Sequence, residues 1–300
     1  MLTSFRNGFG RLTALFSGLA LAACAAQTSR APAEARPALW MLSDADTNIY
    51  LFGTIHALPE GTEWRTPALE QALAESEELV TEIRLGDEAA AAAAFARLGF
   101  GQGVPPALER VPATKRELLR EAIAASGLPL AAADRLKTWA LALALAQVLF
   151  QRAGLNPELG VERSLTASFT QARKPMSSLE TVEEQLGFFD GLSEESQRAF
   201  LEGVLESPDE IREELGAMLA AWRGGDTGAI ARTFNDEETL SAELREVLLT
   251  RRNARWAEWL QRRLERPGTI FVAVGAGHLA GRDSVQDMLE RRGLAARRVQ

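Results

Sequence analysis

Three hundred residues, a net charge of -8 and 46 % apolar content describe one large or two small acidic domains able to bury a substantial core. Basic residues are interspersed with acidic ones, which leaves no stripe for nucleic acid. A lone cysteine excludes an internal disulfide, so the core must supply the stability.

The chain opens as a targeting segment. Arg6 and Arg11 give a positive start, Leu12 to Ala23 is a short apolar run, and Leu21-Ala22-Ala23-Cys24 has the form of a bacterial lipobox. Residues 1–23 are therefore expected to be a lipoprotein-type signal peptide, with Cys24 the lipidated first residue of the mature chain. Ordinary secretion with cleavage near Ala20-Leu21-Ala22 is the alternative. Ala25, rather than aspartate, follows the cysteine, so the expected destination is the outer membrane, facing the periplasm. Residues 24–37 are rich in Ala, Pro, Ser and Thr and read as a tether to a domain spanning 38–300.

Within that domain, Ala38–Leu42 and Ile49–Phe52 flank a polar turn and predict a hairpin. A helix follows Pro67 with Leu69 and Leu73 on one face, and Glu78–Ile83 reads as a short strand. The middle reads as helical over 88–98, 113–125 and 132–153; the last holds Trp139 to Ala146, apolar all round yet too short to cross a bilayer. Lys174–Leu179 resembles a strand ended by Glu180, and Thr181 with Glu184 forms a capping box for a helix carrying Val182, Leu186 and Phe189. Further helices are expected over 193–205, 209–223 and 240–266. A strand to Val274, a helix over 283–292 and a strand over 295–299 close the chain, and the arginines of 291–298 read as a solvated helix face. The fold expected is α/β (α+β), with a sheet region built from the terminal strands and a large helical insertion.

Only two histidines occur, and each closes a glycine-led turn after an apolar, β-prone run: Gly53-Thr54-Ile55-His56 and Gly275-Ala276-Gly277-His278. A lone histidine after a strand is usually a loop residue or a satisfied hydrogen-bonding group. The repetition of one pattern favours two imidazoles brought to one site, which is first of all a metal-site expectation.

Those two turns, Leu179-Glu180-Thr181 followed by Glu184-Gln185, and Arg252-Asn253 followed by Trp256 together resemble the TraB/PrgY/GumN family, whose relatives include the Tiki metalloproteases and, more distantly, the erythromycin esterase and ChaN-like proteins. The resemblance runs from Leu39 to Val299 with all motifs in order. It implies paired GxxH motifs from two related halves facing each other across a cleft. It also implies divalent-metal-dependent peptide cleavage as in Tiki proteins, control of peptide pheromones as in PrgY and TraB, or a place among exopolysaccharide genes as for GumN. Fold kinship alone does not assign an activity.

A hydrolytic metal centre needs neutral imidazoles or carboxylates and an acid/base beside them. His56 and His278 are the candidate imidazoles. Glu82, in a strand otherwise apolar at Leu79, Val80 and Ile83 and a match to the family's early glutamate, is the first candidate carboxylate, as ligand or catalytic group; a strand-end residue facing water is the alternative. Glu180, just before a helix amino terminus that favours an anion, is the second, against a purely structural cap role. Glu162 resembles a family acidic position, or else simply opens a helix. Arg252 and Asn253 sit in a long helix where an arginine clamps a carboxylate or polarises a carbonyl, with a surface ion pair as the competing account and Arg251 as a rival. Mn, Co, Zn and Fe suit this donor set equally. No Gly-x-Ser-x-Gly elbow is present. The leading expectation is a metal-dependent, peptide-cleaving hydrolase held to the membrane by its lipid. The alternative is a non-catalytic envelope lipoprotein that binds a peptide or a polysaccharide-export component.

Overall fold

The structure, a computed structural model, describes residues 35–86, 88–205, 208–235 and 241–300. The segment expected to be a signal peptide, most of the expected tether and Cys24 lie outside the described residues. Among these residues no helix is long and apolar enough to cross a membrane.

β1 (Leu39–Ser43) and β2 (Thr47–Thr54) form the expected antiparallel hairpin. Its turn is an Asx turn: the Asp44 carboxylate accepts from the Asp46 and Thr47 N–H groups at 3.2 and 2.9 Å. Helix α1 (Pro67–Glu75), capped by Thr66 and started by proline, leads to β3 (Glu78–Thr81). The insertion follows: α2 (Glu88–Leu98), α3 (Arg116–Ala125), α4 (Leu130–Ala133), α5 (Thr138–Arg152) and α6 (Val161–Gln171). Then come β4 (Met176–Ser178), α7 (Val182–Asp190) behind its capping box, α8 (Glu194–Gly203), α9 (Pro208–Arg223), α10 (Thr227–Asn235) and α11 (Ala242–Arg245). The chain ends through α12 (Arg251–Arg263), β5 (Gly268–Gly275), α13 (Val285–Glu290) and β6 (Arg297–Arg298).

The sheet order is β4-β3-β5-β2-β1-β6. β5 slots between β3 and β2 and runs parallel to both, with Thr47↔Gly268 through Thr54↔Gly275 in register, so the first and last long strands are central neighbours. β4 joins parallel to β3, whereas β1 and β6 complete the sheet antiparallel. The mixed α/β class expected from the sequence is the class observed.

Period-two alternation sorts the strand side chains. Tyr50, Phe52, Phe271 and Ala273 face one layer with α1, α6 and Trp222 of α9, while Ile49, Leu51, Ile270, Val272 and Val274 face another with α12 and α13. Phe52 and Phe271 are fully buried, each contributing on the order of 2 kcal/mol. A third cluster, centred on Trp139, Leu141 and Leu145 of α5, makes the helical insertion a core of its own.

Three expected elements differ. The helix expected over 132–153 breaks at Asp134–Lys137, because the carbonyls of Asp134 and Leu136 are claimed by the buried Arg110 guanidinium and the Asp134 carboxylate caps the Ala107 N–H. The helix expected over 240–266 carries a π-helical turn, Glu246–Thr250, directly before α12. The last strand is two residues long, Glu162 does lie in the first turn of a helix, α6, and α10 was not anticipated as an element.

Candidate functional site

Four parallel strands end on one side of the sheet, and each delivers a polar group there. β2 runs on to His56, β3 to Glu82, β4 to Glu180, and β5 to Gly275 and the 3-10 turn Ala276–Leu279 that carries His278. Open α/β sheets bind ligands at this carboxyl edge. The β3–β4 ladder continues past its last paired residues, Leu179 N–H donating to Thr81 O at 2.9 Å and Glu180 N–H to Glu82 O at 2.8 Å, and so sets the two glutamates side by side.

Glu82 is buried and held from three directions. Its Oε1 accepts from the Gly275 N–H at 2.6 Å, and its Oε2 accepts from Gln185 Nε2 at 3.0 Å and Arg252 Nη2 at 2.6 Å. Burial acts to raise its pKa, but a His278 imidazolium formed in acid, Arg252, His56 and the Gly275 N–H reverse this and hold it at about 2. Glu180 is also buried and fully engaged. It accepts two-pronged donation from Arg252 Nε and Nη2 at 3.0 and 2.9 Å, and Arg255 Nη2 and Trp256 Nε1 each donate at 3.1 Å. Glu180 therefore anchors both Arg252 and Arg255.

His278 is buried between Asn253 and Arg252. Asn253 Nδ2 donates to the Asp283 carbonyl at 2.7 Å, which turns Oδ1 toward His278 Nδ1 at 2.6 Å. The ring thus carries its proton on Nδ1, and its Nε2 lone pair faces Arg252 Nη1 at 3.2 Å and the Glu82 carboxylate at 3.6 Å. Burial, helped by Arg252, lowers its pKa to about 3 against the pull of Glu82.

His56 sits in the loop after β2, with its side chain 73 % exposed and Nδ1 2.5 Å from Glu162 Oε1. Glu162 belongs to the first turn of α6, is buried, and also accepts from Thr54 Oγ1 at 2.6 Å. The Glu162 carboxylate raises the His56 pKa to about 9, an attraction that solvent and salt screen in part at so open a ring. Burial acts upward on Glu162 itself, and the His56 charge with hydrogen bonds from His56 and Thr54 brings its pKa below the ordinary value.

The two GxxH turns meet at Gly275. A Cβ there would lie 3.2 Å from Glu82 Oε1, 3.6 Å from His278 Cδ2 and 3.8 Å from His56 Nε2, so glycine leaves a cradle around which all three groups gather. Gly53 serves the approach of backbones instead: a Cβ on it would lie 3.0 Å from Ala276 Cα. By chemistry alone the donors, two Nε2 atoms and a carboxylate with each Nδ1 held by a carboxylate or amide, are of the kind that ligates divalent cations. Among the described residues no three such side chains are spaced to share an ion in this conformation, and Arg252 engages both Glu82 Oε2 and His278 Nε2.

Of the residues singled out in the sequence, His56, Glu82, Glu162, Glu180, Arg252, Asn253, Gly275 and His278 are brought together, with Asn253 behind His278 and Glu180 behind Arg252. Arg251 is exposed and paired with Glu246, which resolves the choice of arginine. The sequence reading passed over Arg255 and Thr54. Arg252, Arg255 and Trp256 share one helix face at i, i+3 and i+4, the spacing that could have exposed the cluster. Beside the His56 loop a cavity of about 640 Å³ is lined by Leu58, Trp64, Glu158, Leu159 and Arg163.

The TraB/PrgY/gumN family model matches residues 38–298. The protein YbaP of Escherichia coli (strain K12) is 31 % identical over 155 residues, covering 50 % of this chain and 55 % of YbaP, and YbaP of Shigella flexneri matches to the same extent. A Treponema pallidum (strain Nichols) protein is 24 % identical over 206 residues, covering 64 % of this chain and 60 % of its own. The chain thus spans little more than half the length of the curated relatives it matches. No solved structure matches it.

Proposed function

From the fact that the chain belongs to the TraB/PrgY/gumN family, we propose that it is a divalent-metal-dependent hydrolase cleaving peptides on the periplasmic face of a bacterial membrane, tethered there through Cys24. The observation that carries this reading is the gathering of His56 Nε2, Glu82 Oε1 and His278 around the Cβ-free face of Gly275. A bound divalent ion supplies Lewis-acid polarisation of a carbonyl and acidifies water. His56, His278 and Glu82 would hold it, with Glu162 and Asn253 fixing the two rings. Mn, Co, Zn and Fe all suit these donors. The proton on His56 Nε2 must leave before that nitrogen ligates, so affinity rises with pH. Arg252, anchored on Glu180, supplies a fixed positive charge for a carbonyl oxygen that gains negative charge during hydrolysis. The adjacent cavity, with Leu58, Trp64 and Leu159 as its apolar part and Glu158 and Arg163 as its polar part, has the size of a small-ligand pocket and suits a short peptide segment.

One observation favours a second reading, a non-catalytic envelope protein that binds a peptide or a polysaccharide-export component in the same cleft: Arg252 already satisfies Glu82, Glu180 and His278. Elemental analysis of the purified protein, with cleavage of a mixed pool of synthetic peptides in chelator and in Mn²⁺, Co²⁺, Zn²⁺ or Fe²⁺, separates the two. The hydrolase reading expects near-stoichiometric metal and metal-dependent cleavage lost in His56→Ala, His278→Ala and Glu82→Ala. No metal uptake, or full activity in the histidine variants, overturns it.

A further inference from the structure

Arg252 makes two separable sets of contacts. The first is a fixed seat: Nε and Nη2 on Glu180, Nη1 on the Leu248 carbonyl at 3.0 Å, and the guanidinium carbon 4.7 Å from the Trp256 ring centre and 5.6 Å from that of Phe188. The second reaches toward the candidate ligands, Nη2 to Glu82 Oε2 at 2.6 Å and Nη1 to His278 Nε2 at 3.2 Å. Neither ligand depends on the arginine for its orientation. Glu82 keeps the Gly275 N–H and Gln185, and His278 keeps Asn253. What Arg252 adds is positive charge against Glu82 Oε2 and a donor that covers the His278 Nε2 lone pair, alongside the direct 3.6 Å approach of that nitrogen to Glu82 Oε1.

We propose that Arg252 is the built-in counter-cation of the metal-free site: its guanidinium bridges Glu82 Oε2 and His278 Nε2 and covers the imidazole lone pair, and a divalent cation binds by displacing it from those two residues while Glu180 retains it. The inference rests on the metal-site reading above. Charge supports the exchange. Without Arg252 or a metal, Glu82 would be a buried carboxylate with no full counter-charge beside it except His56, a costly state. Glu180 would still hold Arg255. The incoming cation compensates Glu82, and the one N–H of Nη1 and of Nη2 that Leu248 and Glu180 do not hold becomes free for substrate. The same arginine competes with the metal and lowers apparent affinity, as any occupant of a shared site does.

The test is metal binding rather than turnover. Purified full-length protein, stripped with chelator, is titrated calorimetrically with Mn²⁺ and with Zn²⁺, and melted with and without each ion. Arg252→Gln is expected to bind at least about tenfold more tightly than wild type, to melt lower without metal, and to gain more in melting temperature when metal is added. Arg255→Gln also removes one positive charge next to Glu180 but leaves Arg252 on Glu82 and His278, and is expected to bind as wild type does. Arg252→Lys, which loses the planar fork, tests the same displacement if Arg252→Gln does not fold, and is also expected to bind more tightly than wild type. Equal or weaker binding by the Arg252 variants, or an equal gain in Arg255→Gln, overturns the displacement while leaving the metal site standing. Absence of binding by every protein, wild type included, removes the metal-site reading and this inference with it.

Discussion

His278 Nδ1 lies 2.6 Å from Asn253 Oδ1, and the same amide is fixed from its far end by donating to the Asp283 carbonyl at 2.7 Å. Asp283 presents that carbonyl from a left-handed backbone conformation, φ 63°. Asn253 thus determines which nitrogen of the buried ring bears the proton. Asn253→Ala leaves that N–H without an acceptor and is expected to cost about 1–3 kcal/mol of unfolding free energy in urea. Asn253→Asp keeps the acceptor and adds a charge, so it is expected to raise the His278 pKa, read as an upward shift of that ring's NMR titration.

The two histidines of the metal-free chain are expected to titrate on opposite sides of neutrality, His56 near pH 9 and His278 near pH 3, each from an ordinary value of 6.5. With two imidazoles in the chain, NMR resolves both, and His56→Ala assigns them. The consequences for stability have opposite signs. The His56–Glu162 pair contributes fully below pH 6.5 and fades as pH rises through about 9. His278 is buried neutral and picks up a proton on unfolding, so stability falls as pH drops from 6.5 toward about 3. The contribution of Glu82 is present above 4.5 and disappears toward about 2. Denaturant midpoints measured against pH should therefore fall on the acid side in wild type, and fall less steeply in His278→Gln.

Tyr50 is the chain's one tyrosine, and its hydroxyl donates to Glu75 Oε2 at 2.6 Å. Burial, then the Glu75 hydrogen bond and charge, raise the phenol pKa from 10.0 to about 12. The fold thus favours the protonated ring, and this contribution is lost as pH climbs from 10 to 12. Ultraviolet titration of the phenolate band should show a midpoint near 12 in native protein and a lower one in Glu75→Gln. A native midpoint at the ordinary value would contradict this geometry.

Two glycines beside the site should respond differently to alanine. A Cβ on Gly160 would come within 2.2 Å of the His56 carbonyl oxygen, a backbone atom, so Gly160→Ala must shift the His56 loop and is expected to destabilise by about 1–3 kcal/mol. A Cβ on Gly275 meets only side-chain atoms at 3.2 Å or more, and its conformation needs no positive φ. Gly275→Ala should melt close to wild type yet lose metal binding, because the methyl group fills the cradle. Circular dichroism melts with parallel calorimetry distinguish the two outcomes.

The sequence by itself determined the elements whose signals are local. Continuous β-prone apolar runs at Ile49–Phe52 and Ile270–Val274 fixed the strands, Thr181 with Glu184 fixed the start of α7, and the repeated GxxH turn named both histidines. Elements shaped by distant partners were illegible. Arg110, reaching the carbonyls of Asp134 and Leu136, divides what the apolar pattern continues, and the π-helical turn before Arg252 has no periodic signature of its own. Only the tertiary structure decided the arrangement of the site. Insertion of β5 between β3 and β2 brings Glu82, His56 and His278 to one sheet edge, because parallel neighbours must end on the same side. The exposed fate of Arg251, the burial of Arg252 and its engagement with Glu180 follow from which face of α12 packs on that edge. A 3.6-residue period can suggest that face, but only the partner across the cleft selects it.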